Sequence, residues 1–127
     1  MIKELCRLNN IGISYQRIFQ VFGDGENENR FWPSLRRAAI NGEDFHMSKG
    51  NQIRDFIDVK IAGEIIAKIA LENKIGAFNV CSGIPKSVKE LVNEVAKDFK
   101  RPDILNFGAR ADNLTDFPKI LGVPNFD

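Results

Sequence analysis

Two stretches of this chain repeat apolar residues at helical spacing, and each follows a short run of strand-forming residues. In the first, Val59, Ala62, Ile65, Ile66, Ile69 and Ala70 share one face. Lys60, Glu64, Lys68 and Glu72 form a solvated stripe at i, i+4 spacing on another. In the second, Val88, Leu91, Val92, Val95, Ala96 and Phe99 repeat the pattern. Both starts are marked. Asp58 is placed to cap the first helix, and Ser87-Val88-Lys89-Glu90 has the form of a capping box. A helix with one apolar face lies on a sheet, so the alternation predicts an α/β fold with mixed or parallel strands.

The rest of the chain fits around that frame. Ile13 to Phe22 is rich in β-branched and aromatic residues, reads as a strand, and is punctuated by Gly23-Asp24-Gly25. Ile2 to Asn10 has helical spacing, yet only Met1 precedes it and nothing there can cap it; it reads as the tail of a longer helix. A short helix is expected from about Pro33 to Ile40, ended by Asn41-Gly42. Phe45-His46-Met47 and Gln52 to Ile57 form either a small hairpin or two separate extended pieces. Ile104 to Phe107 is expected as an edge strand and Asp116 to Leu121 as a last short helix.

At 127 residues the chain fits a single domain, 1–127. Its 43% hydrophobic and 28% charged content excludes intrinsic disorder and rod-like folds. Eighteen Lys and Arg against seventeen Asp and Glu leave +1, which provides no broad footprint for nucleic acid. No apolar run approaches the roughly 18 residues that span a bilayer, and no secretory signal is recognisable. A cytoplasmic location is therefore expected, with Cys6 and Cys81 reduced. Two cysteines and one histidine do not make a closed zinc site.

Few residues point to chemistry on their own. His46, between Phe45 and Met47, reads as a packed or surface residue rather than a general base. Tyr15 is followed four positions later by Phe19, so it starts no Tyr-x-x-x-Lys pair. Gly23-Asp24-Gly25 lacks the third glycine of a dinucleotide-binding loop. Asp55 and Asp58 read as a salt-bridge partner and a cap. Arg54-Asp55-Phe56-Ile57 is the most informative string, and it supports two readings. Arg54 and Asp55 either tie the preceding turn to the next helix, or Arg54 clamps a phosphate with its planar guanidinium.

Four segments in consistent order resemble the C-terminal half of the extended short-chain dehydrogenase/reductase family, the NAD-dependent sugar-nucleotide epimerases and dehydratases. Arg17-Ile18-Phe19-Gln20-Val21-Phe22-Gly23 is similar to that family's Arg-x-x-Asn-x-Tyr-Gly, with Gln20 and Phe22 departing from it. Gly50 to Val59 resembles its Gly-x-x-x-Arg-Asp-Phe-(Ile/Val) segment and helix start. Ala77 to Gly83, followed by Ser87, resembles its Tyr-Asn-(Ile/Val)-Gly-x-Gly-x-x-x-Ser. Ile120-Leu121-Gly122-Val123-Pro124 is similar to its Leu-Gly-Trp-x-Pro.

The resemblance implies a partial Rossmann-type fold and a role as the substrate-binding portion for a nucleoside diphosphate sugar. It implies Arg54, Gln20 and Arg110 as substrate contacts, and Ser82 and Gly83 at the cofactor rim. It implies NAD(P) in the intact relative. The glycine-rich loop and the Tyr-x-x-x-Lys pair are not in this sequence, and the latter's helix would fall just upstream of Met1. The isolated chain is therefore expected to lack the N-terminal cofactor-binding part, to hold no cofactor and to be inactive alone. It is further expected to self-associate or to dock on that missing portion. The alternative is a non-enzymatic nucleotide-binding or protein-interaction module.

Overall fold

The computed structural model describes residues 1–127. In chain order it runs α1 (Ile2–Leu8), β1 (Ser14–Ile18), β2 (Gln20–Phe22), α2 (Phe31–Asn41), β3 (Phe45–Met47) and β4 (Ile53–Asp58). There follow α3 (Val59–Leu71), β5 (Gly76–Val80), β6 (Pro85–Ser87), α4 (Val88–Asp98), a 3-10 turn (Pro102–Ile104) and β7 (Leu105–Phe107).

The expected first long strand is present but changes partner halfway. β1 runs parallel to β5, from Ser14 opposite Gly76 to Ile18 opposite Val80. The Phe19 N–H still donates to the Val80 carbonyl (3.1 Å), and then the Val21 N–H donates back to the Phe19 carbonyl (2.9 Å). That tight turn bends the strand, and β2 pairs in parallel with β4 instead. β6 lies antiparallel on the other side of β4. β3 and β7 form a separate parallel pair, so the two pieces around Ser48–Gln52 belong to different sheets and make no hairpin.

Both predicted caps form. The Asp58 carboxylate accepts from the Lys60 N–H (2.8 Å). Ser87 Oγ accepts from the Glu90 N–H (3.1 Å), while Glu90 Oε2 accepts from the Ser87 N–H (2.6 Å) and hydroxyl (2.8 Å). Those donors hold the Glu90 carboxyl below the ordinary glutamate value. α4 ends at Asp98, so Phe99 sits just past the helix as its C-cap.

The core is divided. Ile57, Ala62, Ile69 and Val80 form one cluster between α3 and the strands. Leu35, Met47 and Val92 form a second between α2, α4 and β3, and Ala38, Ala39 and Ile104 a third. Gly50, in a left-handed conformation (φ 71°), lets the turn before β4 approach α4: a Cβ there would lie 3.0 Å from the Lys89 nitrogen.

The helix expected at Asp116 to Leu121 does not form. Its backbone is drawn onto β4 at Ile53, a stretch that β2, paired only with Phe56 to Asp58, leaves open: the Ile53 N–H donates to the Pro118 carbonyl (2.9 Å) and the Ile120 N–H to the Ile53 carbonyl (3.0 Å). Pro118 itself has no N–H to give a helix. Further on, the Asn125 amide imitates a strand residue, accepting from the Asn79 N–H (2.7 Å) and donating to the Ala77 carbonyl (3.0 Å). That covers the outer edge of β5. The other edge of β1 stays unpaired; Tyr15 and Ile18 of that strand are exposed, as are Ile2, Leu5 and Leu8 of α1. No helix is long and apolar enough to cross a membrane.

Candidate functional site

Successive side chains on a strand point to opposite faces, so Arg54 and Asp55 on β4 meet different groups. Asp55 is 1% exposed. Its Oδ1 accepts from the Ser82 N–H (2.7 Å) and hydroxyl (2.8 Å), and its Oδ2 from the N–H groups of Gly83 (2.8 Å) and Gly122 (3.2 Å). One carboxylate thus joins β4, the turn after β5 and the C-terminal segment. Glycine is required at 122 for space alone, since a Cβ there would lie 2.5 Å from Cβ and Sγ of Cys81. Burial and the nearby Asp55 charge push the Cys81 thiol up.

Arg54 is also buried, at 9% exposure. Its Nη1 donates to the carbonyls of Ile53 (2.8 Å) and Phe117 (2.9 Å), and its Nη2 meets Asp116 Oδ2 at 2.6 Å. A guanidinium has five N–H donors. Three of them are engaged; the Nε–H and the second Nη2–H have no partner in the chain, and Nε is not sealed from solvent.

On its open side Arg54 shares a cleft of about 340 Å³ with Gln20, Arg17 and Ile120. The bend at Phe19 is what brings Gln20 there. Arg17, one residue type that the sequence reading passed over as a ligand, makes no ion pair and adds a second cation to the same cleft. Asp116 and Phe117 were legible only as part of an expected helix; their hold on Arg54 depends on a contact between residues more than sixty positions apart.

Arg110 lies elsewhere. Its N–H donates to the Met47 carbonyl (3.1 Å), and its exposed side chain lines a larger cleft of about 540 Å³ with His46, Ser34 and Asn113. Phe31 and Phe45, edge to face at 5.7 Å, form an apolar wall of it. Asp112, Asn113 and Asp116 line a third, polar hollow with Gln52. The structure therefore joins Gln20 with Arg54 and sets Arg110 apart.

Ser82 and Gly83 sit half-buried at the end of β5. Both of their N–H groups and the Ser82 hydroxyl point inward to Asp55, and Ser82 Oγ also accepts from the Ile84 N–H (3.1 Å). No donor of that turn is left for a dinucleotide phosphate. No His, Cys, Asp and Glu cluster suited to a metal is present.

Residues 1–81 match the family model described as the NAD dependent epimerase/dehydratase family. Over 85 residues the chain is 27% identical to the dTDP-6-deoxy-L-talose 4-dehydrogenase (NAD(+)) of Aggregatibacter actinomycetemcomitans, spanning 66% of this chain and 32% of that protein. The chain thus covers about a third of this curated relative. Among solved structures it is similar to the UDP-N-acetylglucosamine 4-epimerase of Methanobrevibacter ruminantium M1 in complex with UDP-N-acetylmuramic acid. There the TM-score is 0.84 at 23% identity, over 97% of this chain and 41% of the other. It is also similar to MoeE5 in complex with UDP-glucuronic acid and NAD, with TM-score 0.72 and 26% identity over 87% of this chain and 38% of that one. The partial Rossmann-type fold expected from the sequence agrees with these neighbours.

Proposed function

Because the chain belongs to the NAD dependent epimerase/dehydratase family, we propose that it forms the nucleoside-diphosphate-sugar-binding portion of a sugar-nucleotide-modifying enzyme and does no catalysis alone. The observation that carries this reading is the cleft that Arg54, held by the Ile53 and Phe117 carbonyls and paired with Asp116, lines together with Gln20 and Arg17. A fixed guanidinium with a free edge is suited to a diphosphate, because the fork matches phosphate oxygens and loses little freedom on binding. Gln20 supplies a polar contact at a strand's C-terminal end, where open α/β sheets bind ligands. The larger cleft with Arg110, His46 and the Phe31–Phe45 wall has the size and mixed lining suited to a nucleoside.

In this reading NAD(P) serves the complete enzyme and supplies hydride transfer. Its phosphates and the proton-moving groups belong to residues outside these 127, while Ser82 and Gly83 contribute only shape at the cofactor rim. The unpaired edge of β1 and the apolar residues of α1 are the surfaces for self-association or for docking of a cofactor-binding portion. The unpaired cysteines accord with a cytoplasmic location. A purely structural role for Arg54 is the competing reading, favoured by its ion pair with Asp116.

Calorimetric titration of the chain with UDP or dTDP, the matching monophosphate and the nucleoside distinguishes the two. The diphosphate should bind about tenfold or more tightly than the monophosphate, the gain of charge-assisted contacts to the second phosphate. The chain mixed with NAD and a sugar nucleotide should give no cofactor reduction. Equal affinity for all three ligands, or none for any, removes the diphosphate-binding reading.

A further inference from the structure

The buried guanidinium of Arg54 already carries an anion, the Asp116 carboxylate at 2.6 Å, on a side chain that is 35% exposed. The pair has no net charge, although a second, unpaired cation, Arg17, shares the cleft. Resting on the reading that Arg54 faces a diphosphate, we infer that Asp116 is an internal counter-anion that sets the selectivity of this cleft. It lowers the attraction of Arg54 for a free anion, so that only a phosphate anchored by the rest of its ligand is retained.

Removing the Asp116 charge has two opposed effects, and their sizes decide the sign. Losing the ion pair releases one restraint on Arg54. Nη1 nevertheless keeps the Ile53 and Phe117 carbonyls, which are main-chain groups. The segment bearing Phe117 stays tied to β4 through the Ile53–Pro118 and Ile120–Ile53 hydrogen bonds, which do not involve the Asp116 side chain. Orientation therefore persists. The second effect is electrostatic. A carboxylate touching one edge of a guanidinium lies within about 6 Å of a phosphate on another edge, where unit charges repel appreciably even under the high effective dielectric of a partly exposed site. Relief of that repulsion is worth roughly tenfold in affinity at low salt and shrinks as salt screens it. Repulsion is the larger effect.

Pyrophosphate is the probe, because it has no nucleoside to anchor it. Asp116→Asn keeps an oxygen acceptor for Nη2 and removes the charge. It should bind pyrophosphate roughly tenfold more tightly than the natural chain in low salt, with most of that gain lost in high salt. Its melting temperature should fall at the same time, because a partly buried ion pair has been broken. Tighter binding from a less stable protein is a combination that a purely structural Asp116 does not give. Asp116→Glu retains the charge and should show no gain, and the double variant Arg54→Gln, Asp116→Asn should lose it. If Asp116→Asn does not fold, Asp116→Ser provides the same comparison. Unchanged or weaker pyrophosphate binding by the uncharged variant overturns the inference. The reading of Arg54 beneath it fails separately, if Arg54→Gln alone leaves nucleoside-diphosphate affinity unchanged.

Discussion

Asp55→Ala should lower the stability of the chain by about 3–5 kcal/mol, the range for removing one partner of a buried charged network. The carboxylate is 1% exposed and accepts from three main-chain N–H groups, those of Ser82, Gly83 and Gly122, besides the Ser82 hydroxyl. Alanine leaves those three amides without an acceptor in a site too tight for ready repair: the space beside Gly122 is closed by Cys81 and Phe19. Only 19 of 127 residues are buried, so few other contacts compensate, and the loss is a large fraction of the stability typical of a small domain. Asp55→Asn should cost less, because one oxygen remains, but its amide N–H₂ then faces a main-chain N–H. Urea unfolding followed by circular dichroism measures both. An Asp55→Ala midpoint equal to that of the natural chain would mean that the turn after β5 is held by something else.

Arg54→Ala should weaken nucleoside-diphosphate binding by roughly ten- to 150-fold, the equivalent of about 1.5–3 kcal/mol for charge-assisted contacts. Affinity for the bare nucleoside should hardly change, because the Phe31–Phe45 cleft does not include Arg54. Arg54→Lys should recover only part, since an ammonium cannot bridge two phosphate oxygens while also satisfying the Phe117 carbonyl and Asp116. Stability falls as well, because those two acceptors lose their donor, so the titration belongs well below the melting transition. A variant that melts lower yet binds the diphosphate unchanged would identify Arg54 as a structural ion-pair partner alone.

What could be read in the sequence was local. The Asp58 cap, the Ser87–Glu90 box and the apolar faces of α3 and α4 follow from spacings of four residues or fewer. Both caps are found, and the faces hold at Ala62, Ile69, Leu91, Val92 and Ala96, whereas Val59, Ala70 and Phe99 are exposed. Strand alternation puts Arg54 and Asp55 on opposite faces of β4, and they meet different partners. The break at Phe19 was not legible, because Val80 and the turn back from Val21 decide it rather than any glycine or proline. Asp116 to Leu121 reads as helical because its own residues allow a short helix. Its true conformation is set by an open edge of β4 that lies sixty residues earlier. For the same reason the ion pair of Arg54 with Asp116 was invisible: no short-range pattern marks two residues that meet only once the sheet has formed.

In the proposed function the Gln20–Arg54 cleft receives the diphosphate of a nucleotide sugar. Nuclear magnetic resonance of the isotope-labelled chain, titrated with UDP or dTDP, tests it most directly. Saturable shifts should gather at the side-chain Nε–H of Arg54, at Gln20 and Phe19 around the bend, and along the His46–Arg110 cleft. Residues of α1 should stay unmoved. Saturable shifts confined to α1 and the open edge of β1, with the Arg54 Nε–H unaffected, would contradict it.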